Sequence, residues 1–164
     1  LPEQLLYTYN KLSKRSKNRE ALINNAAQTN QLSHRYSVLI VDDNEINRVV
    51  AVGLLEHLPL EITCAENGQK ALDLLMQEQT AQFDLILMDC QMPVLDGFET
   101  ARRIRLGEAG GYYQKVSIIA MTAGAMSGDK DACIQAGMDD FIAKPIDPIT
   151  FVQKVLGWLS QKEA

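Results

Sequence analysis

The stretch Leu85-Ile86-Leu87-Met88-Asp89-Cys90-Gln91-Met92-Pro93 carries four large apolar residues in a row, then a carboxylate, then a turn that closes on proline. A half-exposed strand alternates apolar and polar residues, whereas an unbroken apolar run of this length suits a parallel strand covered on both faces by helices. Four more runs share that character: Ser37–Val41, Leu60–Cys64, Val116–Met121 and Asp140–Ala143. Segments with helical periodicity lie between and after them, at about 44–57, 67–79, 96–107, 126–136 and 148–160. Asp96 precedes Glu99 at capping-box spacing, and Asp147-Pro148 places proline where an opening helical turn tolerates it. Gly137 follows the fourth helix where a left-handed cap is wanted. Five strands alternating with five helices predict an α/β, doubly wound, five-stranded parallel sheet of order 2-1-3-4-5.

In such a sheet ligands bind beyond the carboxyl ends of the strands, at the switch point between strands 1 and 3. Those ends read Val41-Asp42-Asp43-Asn44, Met88-Asp89-Cys90-Gln91, Met121-Thr122-Ala123 and Lys144-Pro145. Alone, each has an ordinary explanation: Asp and Asn cap helices, a Thr closes a turn, a Lys is solvated. With neighbouring strands about 4.8 Å apart, the assumed order gathers Asp42, Asp43 and Asp89 around one crevice. Thr122 then lies one strand further, and Lys144 reaches back from the next. Three crowded carboxylates resist ionisation unless a cation joins them, and hard oxygen donors with room for water suit Mg²⁺ or Mn²⁺. A metal, an ammonium and a hydroxyl together are equipment for holding a phosphoryl group.

Composition narrows the classes. The chain has 164 residues, 46% hydrophobic and 23% charged, which suits one globular domain. No apolar run approaches the ~18 residues of a membrane-spanning helix. Residues 1–36 carry a balance of +4 and the remainder −9. An acidic body argues against nucleic-acid binding, which needs a basic footprint. The basic lead segment reads as a solvated helix or linker, with a phosphate or membrane surface as the alternative. Cys64, Cys90 and Cys133 show neither metal-site spacing nor an even count, so they are expected to be reduced, buried thiols. His34 and His57 have no partner ligands nearby in sequence.

From Val38 to Leu159 the chain resembles the response-regulator receiver family, on Asp42-Asp43, the Leu85–Pro93 stretch with Asp96-Gly97, Met121-Thr122-Ala123 and Lys144-Pro145. The wording Asp42-Asp43-Asn44-Glu45-Ile46-Asn47-Arg48 and Met88-Asp89-Cys90-Gln91-Met92-Pro93 is similar in particular to receivers attached to hybrid sensor histidine kinases. The resemblance implies a flavodoxin-like fold and a cytoplasmic phosphorelay role. Asp89 would take a phosphoryl group from a phosphohistidine, and Asp43, Asp89 and the backbone carbonyl of Gln91 would hold Mg²⁺ directly, with Asp42 acting through a water. It also implies that Lys144 pairs with the phosphoryl oxygens, and with Asp89 beforehand, while Thr122 moves to hydrogen-bond the group. Phe141 matches the aromatic switch of the family, lacks the hydroxyl of receivers with Tyr there, and reads otherwise as core. Residues 1–36 would link an upstream kinase core to a receiver domain over 37–164 that ends the parent protein. Partners would be a histidine kinase domain of the same chain and a histidine phosphotransfer domain.

The first helix is more apolar than one core face requires. Ile46, Val50, Ala51, Leu54 and Leu58 share a face, leaving Val49, Val52 and Leu55 pointing elsewhere. The surplus around Ile46, Val49 and Val50, beside Pro145, is either a docking site for a helical partner or tight packing against neighbouring helices. An aspartate-nucleophile phosphohydrolase would use the same residue types, but such enzymes carry a second acid two residues after the nucleophile, where Gln91 stands here. A receiver-like module that no longer accepts phosphate would lack pocket residues that this chain has.

Overall fold

The apolar runs fold as parallel strands because helices on both faces take them out of water. The computed structural model of the chain describes residues 3–5, 32–78, 82–124 and 127–163, so most of the expected connecting segment lies outside the described residues. Five strands, β1 (Tyr36–Val41), β2 (Leu60–Ala65), β3 (Leu85–Asp89), β4 (Ser117–Thr122) and β5 (Asp140–Ala143), alternate with five helices. These are α1 (Glu45–Leu55), α2 (Gly68–Leu75), α3 (Gly97–Leu106), α4 (Ser127–Gln135) and α5 (Pro148–Ser160). The sheet order is β2-β1-β3-β4-β5, with every pair parallel, as the sequence predicts.

Alternate residues of each strand face opposite layers. Leu39, Val41, Ile86, Met88 and Ile118 join one core cluster with Leu72 of α2, Ile104 of α3 and Cys133 of α4. Val38, Ile40, Leu85, Leu87 and Ile119 join another with Ala51 and Leu55 of α1 and Phe151, Val155 and Leu156 of α5. Burying each such Leu or Ile contributes about 1.5–3 kcal/mol, and in the central strands the polar residues Ser37 and Ser117 stand only at the opening, half-buried end.

The helix signals act locally. Asp96 caps α3 by accepting from Glu99 N at 2.8 Å, but the Glu99 carboxylate turns to Arg102 and Arg103 instead of closing the box. Asp147 caps α5 by accepting from Thr150 N at 3.0 Å, with Pro148 in the first turn. Gly137 sits at φ +93°, the left-handed conformation that ends α4. Arg105 of α3 then ties this corner to the sheet, donating to the carbonyls of Gly137 (2.7 Å) and Val116 (2.7 Å) and to Asp139 Oδ2 (2.9 Å). Asp139 Oδ2 also accepts from Ile118 N at 2.8 Å, so the ion pair with Arg105 adds to the backbone ladder that sets the register of β4 and β5.

Two expectations need correction. Cys64 is exposed, because β2 is an edge strand whose outward residues lack a covering neighbour. In α1, Leu55 is fully buried and Ile46 is 45% exposed, the reverse of the expected faces. Ile46 stands five residues before Ala51, about 140° around the helix at ~100° per residue, whereas Leu55 is one turn beyond Ala51 and shares its face.

Candidate acidic site at the strand ends

β1 ends at Val41, and Asp42 makes one more ladder bond, N to Ala65 O at 3.1 Å, before the chain turns into α1. That bond fixes the Asp42 backbone, and Arg48 Nη1 adds a 2.7 Å bond to its carbonyl. Its buried carboxylate uses both oxygens. Oδ1 accepts from Asn44 N (2.9 Å) and Asn47 Nδ2 (3.4 Å), and Oδ2 accepts from Lys144 Nζ (3.0 Å). Asn44 caps α1 through its side chain, so the ordinary reading of that residue holds for it and not for Asp42. Asp43 is exposed at the mouth of the crevice.

Asp89 is the last residue of β3 and is 5% exposed. The loop behind it folds tightly: Gly97 N donates to Cys90 O at 3.0 Å, and any Cβ at Gly97 would fall on the Asp89 carbonyl oxygen. That close approach requires glycine. Gln91 is exposed, and its backbone N lies 3.4 Å from Asp89 Oδ1, within the turn that carries Asp89.

Lys144 follows β5 across a cis peptide to Pro145. Its backbone N bonds Thr122 O at 2.6 Å, and its ammonium reaches back to Asp89 Oδ1 at 3.2 Å as well as to Asp42. The sequence anticipated the Asp89 contact; the equally short one to Asp42 was missed, although strand order alone placed both acids within reach. Asn47 and Arg48, which orient Asp42, were also missed as supports; the signal was their position in the first turn of α1, five and six residues after Asp42. Thr122 is buried at the end of β4, its hydroxyl donating to Gly124 O at 3.1 Å. Phe141 is half-buried and stands opposite Ala120, on the same face of the sheet as Thr122 and Ala143. Ile46, Val49 and Pro145 are exposed and Val50 half-buried.

Asp42, Asp43 and Asp89 each present an oxygen within 4.8 Å of the others, the one such acidic group among the described residues. Burial raises the pKa of Asp89 from 3.8 to about 6, helped by the Asp42 charge and opposed by Lys144. Burial also works against the Lys144 ammonium, but bonding to Asp42 and Asp89 outweighs it and raises its pKa. The crevice thus carries more carboxylate than one lysine balances. Hard oxygen donors, one of them open to solvent at Asp43, fit a small divalent cation such as Mg²⁺ that keeps several waters.

A family model described as the response regulator receiver domain matches residues 38–156. Hybrid signal transduction histidine kinase E of Dictyostelium discoideum is 42% identical over 125 residues, covering 76% of this chain and 7% of its own length. The chain is therefore similar to a small part of that relative. The crystal structure of the receiver domain of a Pseudomonas aeruginosa sensor histidine kinase, with a magnesium ion coordinated in the active-site cleft, is 38% identical. It superposes at TM-score 0.65 over 76% of this chain and 97% of that one. A co-crystal structure of a Saccharomyces cerevisiae histidine phosphotransfer protein with the receiver domain of its downstream response regulator matches at TM-score 0.71 and 27% identity, over 82% and 95% of the two chains. Sheet order, acidic crevice and a family match spanning most of the chain agree: the chain belongs to the response regulator receiver family of two-component signalling.

Proposed function

We propose that Asp89 accepts a phosphoryl group from a phosphohistidine in a Mg²⁺-dependent reaction and that the domain relays it, or the signal it carries, to a histidine phosphotransfer partner. The observation that carries the reading is the pairing of Lys144 with both Asp42 and Asp89 beside the exposed Asp43. An Asp89 oxygen attacks phosphorus, the bond from phosphorus to the imidazole nitrogen breaks, and the freed imidazole takes up a proton from water. With its pKa near 6, Asp89 is mostly ionised at neutral pH and ready to attack. Asp43, Asp89 and the Gln91 carbonyl would hold the cation, with Asp42 acting through a water; bound there, the metal offsets phosphoryl charge. Lys144 is placed to shift from Asp89 to a phosphoryl oxygen, and Thr122 to exchange the Gly124 carbonyl for another. Phe141 turns inward over Ala120 as Thr122 moves, there being only a methyl opposite it.

Relatives of the hybrid kinase class support a parent of that kind; we infer that it faces the cytoplasm and that residues 1–36 link a kinase core to the receiver over 37–164. A kinase ATP-binding domain encoded upstream of Leu1 is the expected finding. The exposed Ile46 (45%) and Val49 (65%), with Val50 and Pro145, form the surface on which the phosphotransfer helix docks. Val49→Asp is expected to slow transfer without unfolding the domain; unchanged kinetics would remove this surface from the proposal. For Asp89, incubation with Mg²⁺ and acetyl phosphate should add one phosphoryl group by mass, lost in Asp89→Asn and on chelation. Rapid multiple turnover would indicate a phosphohydrolase instead.

A further inference from the structure

Phe141 leaves the sheet surface between two helices, and a lysine from each comes over its ring. Lys130 Nζ of α4 lies 4.5 Å from the ring centroid and Lys154 Nζ of α5 lies 4.8 Å from it. The two lysines are held differently. Lys154 is anchored: its ammonium bonds Asp140 Oδ1 at 2.9 Å and the Phe141 carbonyl at 2.8 Å, while Trp158 Nε1 holds the other Asp140 oxygen at 2.9 Å. Lys130 is exposed. Phenylalanine has no hydroxyl to fix it in an outward position, and the ring's negative face is what two ammonium groups attract.

We propose that Lys130 and Lys154 form a cation clamp on Phe141, holding its ring between α4 and α5 and setting how readily it turns inward toward Thr122. Both lysines are then positioning residues for the switch. The inference rests on the reading that Asp89 accepts the phosphoryl group and that Phe141 turns as Thr122 moves. Taking the clamped position as the outward one, a cation–ring contact at an exposed site, as at Lys130, weights that state by about two- to fivefold. Removing one therefore favours the inward, phosphoryl-bound state by the same factor. The clamp also explains the chain of contacts Trp158–Asp140–Lys154: it fixes one cation in place before the ring arrives, so that only Lys130 has to be ordered.

Two measurements on the chain test the proposal. First, the clamp itself is read without any ligand. The ε-methylene protons of Lys130 and Lys154 are expected to be shifted upfield by the Phe141 ring in nuclear magnetic resonance spectra, and to return to ordinary values in Phe141→Leu. Ordinary shifts in the wild type overturn the clamp. Second, beryllium fluoride with Mg²⁺ serves as a phosphoryl mimic, its binding followed by the fluorescence of Trp158, the single tryptophan. Lys130→Met, which leaves the Asp140 network intact, should bind it about two- to fivefold tighter, and Lys130→Arg, which keeps a cation over the ring, should stay near wild type. Equal affinity in wild type and Lys130→Met, or an arginine variant that behaves like the methionine one, overturns the coupling. A wild type that shows the upfield shifts yet binds no beryllium fluoride refutes the phosphoacceptor reading and the coupling with it, a result distinct from loss of the clamp.

Discussion

Asp89→Asn should make the domain more stable at neutral pH in the absence of divalent cation. The folded protein raises the Asp89 pKa from 3.8 to about 6, chiefly by burial and by the neighbouring Asp42 charge. A group that binds its proton more tightly folded than unfolded adds stability at low pH, and that stability is lost as pH rises from 3.8 through about 6. A shift of ~2 units corresponds to about 3 kcal/mol at ~1.36 kcal/mol per unit. The site opens to water at Asp43, and Lys144 loses one of its two partners in the variant, so the net gain above pH 6 is set at about 1–2 kcal/mol. For a domain of this size that is roughly 4–8 °C in Tm. Thermal unfolding of wild type and Asp89→Asn, in chelator, from pH 3.5 to 8 is the assay. The difference isolates Asp89 from other carboxylates such as Asp140, whose pKa is lowered despite burial by bonds to Trp158 and Lys154 and which titrates with the opposite sign. The variant's advantage should grow through the window between 3.8 and about 6 and then level off. An advantage that is flat with pH, or a variant less stable than wild type at pH 7.5, would refute the assignment of strain to this carboxylate. Adding Mg²⁺ should stabilise only the wild type and close the gap, by ~2.7 kcal/mol at a hundredfold excess over Kd.

Replacing the resident counter-ion is informative too. Lys144→Met removes the ammonium that bridges Asp42 and Asp89, so isothermal titration calorimetry should show Mg²⁺ binding about tenfold tighter, while phosphoryl acceptance from acetyl phosphate falls. Gly97→Ala forces a methyl onto the Asp89 carbonyl; a loss of about 2–3 kcal/mol in urea unfolding is expected, with slower phosphorylation even where the domain is folded. Arg105→Ala strips donors from Gly137 and Val116 and leaves Asp139 with Ile118 N but no cation, which should cost about 2–4 kcal/mol and leave the affinity for Mg²⁺ nearly unchanged.

What the sequence made legible follows physical range. Sheet order and helix starts were readable because their causes are local: unbroken apolar runs such as Leu85–Met88, and caps such as Asp96 and Asp147. The acidic crevice was readable because topology alone brings strand ends together, without knowledge of rotamers. Contacts that depend on how helices lie against each other were not. Cys90 and Cys133 are 43 residues apart and read as isolated thiols, yet their sulfurs meet at 3.8 Å where α4 crosses the end of β3. The faces of α1 were misassigned for a related reason: from Val49 to Leu55 no residue is polar, so composition carried no phase there, and only packing against β1 and α5 chose Ala51 and Leu55.

The resting contacts of the site bear on the switch that the proposed function assigns to it. In the state described here each polar group is already satisfied by a protein partner: Lys144 by two carboxylates, the Thr122 hydroxyl by the Gly124 carbonyl, the Asp42 carboxylate by Lys144 and the first turn of α1. Phosphoryl binding therefore gains only the difference between old and new partners, and that difference is large for a dianion with a metal beside it and small for neutral ligands. The two residues to which the proposed function assigns an exchange, Lys144 and Thr122, stand on adjacent strand ends joined by the 2.6 Å bond from Lys144 N to Thr122 O. Under that proposal, movement at one end would reach the other through that bond and through the ring of Phe141, which lies on the same face of the sheet. A resting site without internal partners would bind phosphate more tightly and would have no alternative arrangement to leave.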